Sequence, residues 1–329
     1  MRHLPIHSRR SVLAMLAAGS AATAMPRASL AAHAPPISKE KTMTAVRYRT
    51  QKVGAVEVFY REAGPADAPV VLLLHGFPTS SHMFRDLIPE LADRYRVIAP
   101  DLPGFGLTKA PPRGQFDYTF DALGDVIGSF VDAIGLQRYA IYIFDYGAPT
   151  GLRLALKHPE RVTAIITQNG NAYEEGFSKE WEPWQTYWRE PTPEHREATR
   201  AALTDDAIRF QHEHGSPAGT VSPDAYMLDT FYMHRSEAQE IQLDLILSYR
   251  TNVALYPAFQ AYLRQHRPPV LAVWGKHDVF FLPPGAEAYK RDVPDAEIHL
   301  LDTGHFALET HHQEIAGYVR DFLGRKLDG

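Results

Sequence analysis

A mostly parallel, doubly wound α/β sheet with a helical insertion is the fold class the sequence predicts, and three observations predict it. Short continuous apolar runs such as Val70–Leu74, Val162–Thr167 and Val270–Trp274 mark strands covered on both faces, because a strand with one wet face would alternate instead. Amphipathic segments of helical spacing separate these runs, which is the rhythm of strand–helix–strand crossovers. That rhythm breaks once, from about Asn171 to Asn252, where the chain becomes rich in Trp, Tyr, Glu and Pro and shows helical patches but no buried strand.

In chain order, a linker near Pro35 and Pro36 leads to Arg47–Thr50 and Val56–Arg61, whose alternation around a glycine predicts a hairpin. Val70–Leu74 is the first buried strand. Phe84, Leu87, Ile88 and Leu91 recur at helical spacing, and Tyr95–Ala99 is the next strand. Phe120–Ile134 is an amphipathic helix, Tyr139–Phe144 a strand, Ala148–Lys157 a helix and Val162–Thr167 a strand. After the insertion come Val270–Trp274, a helix around Ala286–Arg291, the strand Glu297–Leu301 and a closing helix, Ile315–Leu323. The expected division is a core of residues 45–170 and 253–329 with a helical lid, 171–252, over the carboxyl ends of the strands.

The 329 residues are 45% hydrophobic and 22% charged, which suits one large domain with an insertion better than several modules. Net charge is -5 with both signs interspersed, so no nucleic-acid surface is expected. The absence of cysteine excludes disulfides, thiolate metal sites and Cys nucleophiles together. At the N-terminus, Ser8-Arg9-Arg10-Ser11-Val12-Leu13 and the mild apolar run through Ala24 resemble a twin-arginine export signal. That resemblance implies a signal segment over residues 1–34 and a bacterial protein that is periplasmic or secreted. The run is too short and Ala-rich for a stable membrane span, so no membrane insertion is expected after cleavage.

Ile143 to Gly151 reads I-F-D-Y-G-A-P-T-G, a strand, a very sharp turn and a helix. In such a turn the middle residue, Asp145, projects from the end of the sheet, and the residue two places on, Gly147, must be small. On these residues alone Asp145 serves equally as a nucleophile or as a cap for the following helix. Three further motifs end strands: His75-Gly76-Phe77-Pro78, Trp274-Gly275-Lys276-His277-Asp278 and Gly304-His305-Phe306. Together the four resemble the α/β-hydrolase family, in which nucleophile, acid and histidine follow in this order. The resemblance covers the chain after the signal segment. It implies a triad of Asp145, Asp278 and His305, with Asp where esterases carry Ser.

A carboxylate attacking an ester would give an anhydride that reverts. Attacking an sp3 carbon with a leaving group, it gives an alkyl ester on the enzyme. His305, supported by Asp278, would then activate water, and the N–H groups of Phe77 and Tyr146 would hold the oxyanion. The sequence thus resembles the branch of the family containing epoxide hydrolases and haloalkane dehalogenases. Tyr249-Arg250-Thr251-Asn252 is similar to an epoxide-hydrolase lid segment, which implies that Tyr249 protonates or binds the leaving oxygen. Trp184 and Tyr187 fall in the region of a second lid tyrosine, and a Trp N–H there keeps dehalogenation as the alternative. A non-catalytic or esterase-like member of the fold is the third reading. Fluoroacetate dehalogenases clamp an acidic substrate with arginines where this chain has Tyr146 and Pro149, so the expected substrate is small, uncharged and apolar. No cofactor or metal is expected, and oligomeric state is open.

Several residues have plainer readings. His75 is expected mainly to shape its turn. Asp101-Leu102-Pro103-Gly104-Phe105-Gly106 lacks a dinucleotide fingerprint and reads as a turn. His212-Glu213-His214 is expected on a solvated lid face, not at a metal, and His311 and His312 on the surface of the last helix. The lid aromatics Trp181, Trp184, Trp188, Tyr226, Phe231 and Tyr232 are expected to pack the insertion onto the core.

Overall fold

The β-branched and Leu-rich runs form an eight-stranded sheet in the computed structural model, which describes residues 45–327. The expected export segment lies outside the described residues. Arg47–Val53 (β1) and Val56–Ala63 (β2) pair as an antiparallel hairpin that turns at Gly54, where φ is 57°. Val70–Leu74 (β3) leads through the short helix Leu87–Leu91 (α1) to Arg96–Pro100 (β4). The single helix suggested by Phe84 to Leu91 is therefore two pieces, a 3₁₀ turn over Ser81–Phe84 and then α1. Phe120–Ala133 (α2) is capped by the Thr119 hydroxyl, which accepts from Ala122 N. Tyr139–Phe144 (β5), Gly147–Lys157 (α3) and Val162–Gln168 (β6) follow.

The insertion is helical throughout its regular part: Glu182–Arg189 (α4), Pro193–Thr199 (α5), Asp205–Glu213 (α6), Pro223–Met233 (α7) and Ala238–Ser248 (α8). Arg250–His266 (α9) starts beside α8 and returns the chain to the sheet, so the expected boundary at residue 252 falls inside a helix. Val270–Gly275 (β7) precedes Pro283–Glu287 (α10) and Tyr289–Asp292 (α11), two short helices where one was expected. Glu297–Leu301 (β8) and Leu308–Leu327 (α12) complete the chain, the last helix starting seven residues before the expected Ile315.

Strand order is β1-β2-β4-β3-β5-β6-β7-β8, antiparallel across β1, β2 and β4 and parallel from β4 to β8. Alternate residues of one strand feed two different cores: Leu72 and Leu74 pack on the side that carries the lid, Val71 and Leu73 on the side that carries α12. All four are fully buried, and truncating one to Ala would cost about 2–5 kcal/mol. Because β3, β5, β7 and β8 run in parallel, their carboxyl ends share one edge. The residues that follow them, His75 to Phe77, Asp145, Asp278 and His305, arrive at that edge together.

Candidate active site

Asp145 sits between β5 and α3 with φ of 48°, a left-handed backbone that an L-residue adopts only where its surroundings compel it. Two glycines supply the room. A Cβ on Gly147 would lie 2.1 Å from Leu74 O, and one on Gly76 would lie 2.2 Å from Asp145 Oδ1. Ile143, a bulky residue two places before the aspartate, is accommodated across the turn by Gly151, where an added Cβ would stand 2.5 Å from Ile143 Cγ2.

Phe77 N–H donates to Asp145 Oδ1 at 2.5 Å, and the Tyr146 N–H also favours the carboxylate. Burial outweighs both and raises the Asp145 pKa from 3.8 to about 6. His305 lies on the same cavity, its Nδ1 bonded to Asp278 Oδ2 at 2.6 Å. Burial alone would lower the His305 pKa, but the Asp278 carboxylate, with Asp145 behind it, brings the net shift above 6.5. Asp278 is in turn fixed by Asn169 Nδ2, which donates to Oδ2 at 2.8 Å, and by Phe280 N, which donates to Oδ1 at 2.7 Å.

His75 is a turn-former: Leu102 N donates to its Nε2 at 2.9 Å, so Nδ1 carries the proton toward Gly76 O. Asp101 likewise ties its own loop, accepting from Ser81 N and Leu107 N at 2.7 Å each.

The cavity above Asp145 measures about 230 Å³. Phe77, Trp181, Trp184, Phe210, Phe280 and Phe281 give it an apolar wall. Trp184 faces it with its indole N–H unpaired among the described residues, whereas Trp181 and Trp188 donate theirs to Phe280 O and Ile246 O. Tyr249 is not on the wall. It is fully buried one aromatic layer behind, against Tyr146, Trp181 and Trp188. Its hydroxyl lies beside that of Tyr256, outside strict hydrogen-bond geometry, and feels the charge of the Asp145 carboxylate. Tyr187 is also off the wall, its hydroxyl accepting from Arg196 Nη1 at 3.1 Å, and the Tyr146 ring packs away from the cavity on Phe120.

The reading of His212 as solvated is corrected. His212 is buried, bonds Asp229 Oδ2 through Nε2 at 2.9 Å and stacks on Phe306 at 3.7 Å, because α6 lies against the loop that carries His305. His214 is exposed as expected, while His311 and His312 are half-buried. Sequence reasoning missed Asn169 and Gln211. Asn169 carried a usable signal, standing at a strand's carboxyl end.

The family model for the alpha/beta hydrolase fold matches residues 69–312, the span from β3 into α12. The protein is an α/β-hydrolase. An uncharacterized hydrolase of Saccharomyces cerevisiae is 48% identical over 274 residues, covering 82% of this α/β-hydrolase and 94% of the yeast protein. Among solved structures, the haloalkane dehalogenase DbeA from Bradyrhizobium elkani superposes with a TM-score of 0.70 at 23% identity, over 84% of this chain and 99% of that one. The epoxide hydrolase CorEH superposes with a TM-score of 0.70 at 19% identity, over 85% and 99%. At those identities the two structures speak for the fold of this α/β-hydrolase alone.

Proposed function

We propose that this α/β-hydrolase opens small, uncharged, apolar epoxides through an alkyl ester on Asp145, giving vicinal diols. The observation that carries the covalent route is Asp145 itself: a buried carboxylate at the turn, with one oxygen on the Phe77 N–H and the His305–Asp278 pair on the same cavity. In the first step an Asp145 carboxylate oxygen forms a bond to a ring carbon, the C–O bond breaks, and the freed oxygen takes a proton from the Tyr249 phenol, which is restored with the proton that His305 takes up in the second step. In the second, His305 removes a proton from water whose oxygen adds to the ester carbon, and the N–H groups of Phe77 and Tyr146 hold the oxyanion. Collapse then releases the diol and regenerates Asp145.

The choice of an epoxide rests on Tyr249. Burial keeps its phenol protonated, its hydroxyl has only the loosely placed Tyr256 hydroxyl beside it, and a buried polar group that meets no strict hydrogen-bond geometry calls for a reason. This reading requires the aromatic layer of Tyr146 and Trp181 to yield so that Tyr249 reaches the ring oxygen. A second reading, release of halide from a haloalkane by the same triad, is favoured by the unpaired N–H of Trp184 on the cavity wall. It ranks second because a halide left in an apolar cavity needs its charge shared between donors, and Phe77 offers no side-chain donor beside Trp184.

Incubation with styrene oxide and with 1-bromobutane, assayed for diol and bromide, decides between them: diol supports the proposal, and bromide without diol overturns it. Independently, His305→Gln should trap a mass adduct on the peptide carrying Asp145, and its absence with both reagents would remove the covalent route. Export through residues 1–34 is a separate proposal that rests on Arg9 and Arg10, and cell fractionation tests it.

A further inference from the structure

Gln211 is the one amide side chain on an otherwise aromatic and Ala-rich stretch of the cavity wall, among the described residues. It is only 8% exposed, and no described group hydrogen-bonds its oxygen or its nitrogen. An amide in that position is expensive unless something in the cavity satisfies it.

Its placement is fixed from several directions. The adjacent His212 is locked by Asp229 and by its stack on Phe306. Just beyond, the backbone of His214 crosses Gly304 so closely that a Cβ on Gly304 would lie 1.8 Å from His214 O. On the other flank, Phe210 meets Phe280, which itself packs near His305. The amide is therefore held on a rigid end of α6, from the His305 side of the cavity, while Trp184 comes from the Phe77 side, where the two rings meet.

We propose that Gln211 is a specificity-determining residue that hydrogen-bonds an oxygen function on the substrate's chain, remote from the carbon attacked by Asp145. The site then selects a hydroxyl-bearing apolar electrophile over the bare hydrocarbon analogue. This rests on the alkyl-ester reading of the same cavity and narrows its substrate class. A single neutral hydrogen bond in such a pocket supports a preference of about tenfold.

The test compares isosteric pairs in which a terminal hydroxyl replaces a methyl group: 5,6-epoxyhexan-1-ol with 1,2-epoxyheptane, and 5-bromopentan-1-ol with 1-bromohexane. Because both electrophiles are included, the result does not depend on which of them the enzyme opens. The wild type should favour the hydroxyl member of the reactive pair in kcat/KM by about tenfold, and Gln211→Leu should bring the ratio of the two members to about one. No wild-type preference would overturn the proposal. So would an equal loss on both members, since Gln211 would then serve the chemistry or the fold. Gln211→Met, with melting temperature measured alongside, repeats the comparison if the Leu variant folds poorly. Should neither pair react, the alkyl-ester reading fails by itself, and calorimetric titration with pentane-1,5-diol against hexan-1-ol still decides for Gln211: tighter diol binding, lost in Gln211→Leu, supports it, and equal binding refutes it.

Discussion

Gly76 and Asp145 approach so closely that a methyl group on Gly76 would overlap the aspartate side chain, 2.2 Å from Oδ1 and 2.5 Å from Tyr146 N. Tyr146 N belongs to the backbone of the turn and Asp145 Cβ, 2.4 Å from the added methyl, is fixed by it, so the carboxylate itself has to give way. Gly76→Ala should therefore displace the carboxylate from the Phe77 N–H. The expected result is a fall in kcat of about 10²-fold or more, the scale seen when one oxyanion donor is lost, with a lower melting temperature. Steady-state kinetics and a thermal melt check it.

Two separate acid limbs are expected in the pH dependence. Burial raises Asp145 to about 6, against the lowering effect of His305 and the two N–H groups, and attack needs the carboxylate. For the free enzyme kcat/KM should fall below about pH 6, by about tenfold per unit. His305 must be neutral to take a proton from water, and Asp278 holds its pKa above 6.5. Where ester hydrolysis limits turnover, kcat should therefore rise through a higher limb than kcat/KM does. A single shared limb near pH 4 would contradict this assignment.

The same shift has a consequence for stability. A carboxyl whose folded pKa exceeds its unfolded value favours the fold below pH 3.8, and that stabilisation is lost as pH rises to about 6. Asp145→Asn cannot suffer this loss. It should be inactive yet more stable than wild type at pH 8, by about 2 kcal/mol, with a much smaller difference at pH 4. Denaturant unfolding at the two pH values measures it.

Tyr249→Phe separates the two electrophiles. If the phenol supplies the proton for ring opening, diol formation should drop by about 10²–10³-fold while any bromide release stays unchanged. Removal of a buried hydroxyl without a partner should leave the fold at least as stable. Trp184→Phe should show the opposite pattern, sparing diol formation.

The sheet and the meeting of Asp145, Asp278 and His305 at one of its edges were legible in the sequence because their signals are local. Val70–Leu74 and Tyr139–Phe144 announce strands by composition, and each reactive residue stands just past the end of one. The lid was less legible because the direction of its side chains is set by packing between helices far apart in the chain. Tyr187 turns to Arg196 instead of the cavity, and His212 is buried only because Phe306 and Asp229 enclose it. The spacing of His212, on α6, and His214, just past its end, could not reveal this, since which face of a helix is covered depends on its neighbour. Gln211 was missed for the same reason.

Asn252, last residue of the Tyr249-Arg250-Thr251-Asn252 segment, does structural work. Its Oδ1 accepts from Arg153 Nη1 at 2.6 Å, while Thr251 Oγ1 and Asp121 Oδ1 accept from Arg153 Nη2 and Nε. Burial lowers the Arg153 pKa and Asp121 counters it, so the buried charge on α3 is compensated by its neighbours. The arrangement ties the start of α9 to the helix that follows the nucleophile. Asn252→Ala would leave Arg153 Nη1 with only its longer bond to Pro149 O at 3.3 Å, at a cost of about 1.5–3 kcal/mol. Since Asn252 does not line the cavity, KM should change little, and kcat should follow the folded fraction. A melting temperature near that of wild type combined with a large loss of kcat would instead place Asn252 in the chemistry, and denaturant unfolding beside steady-state kinetics distinguishes the two.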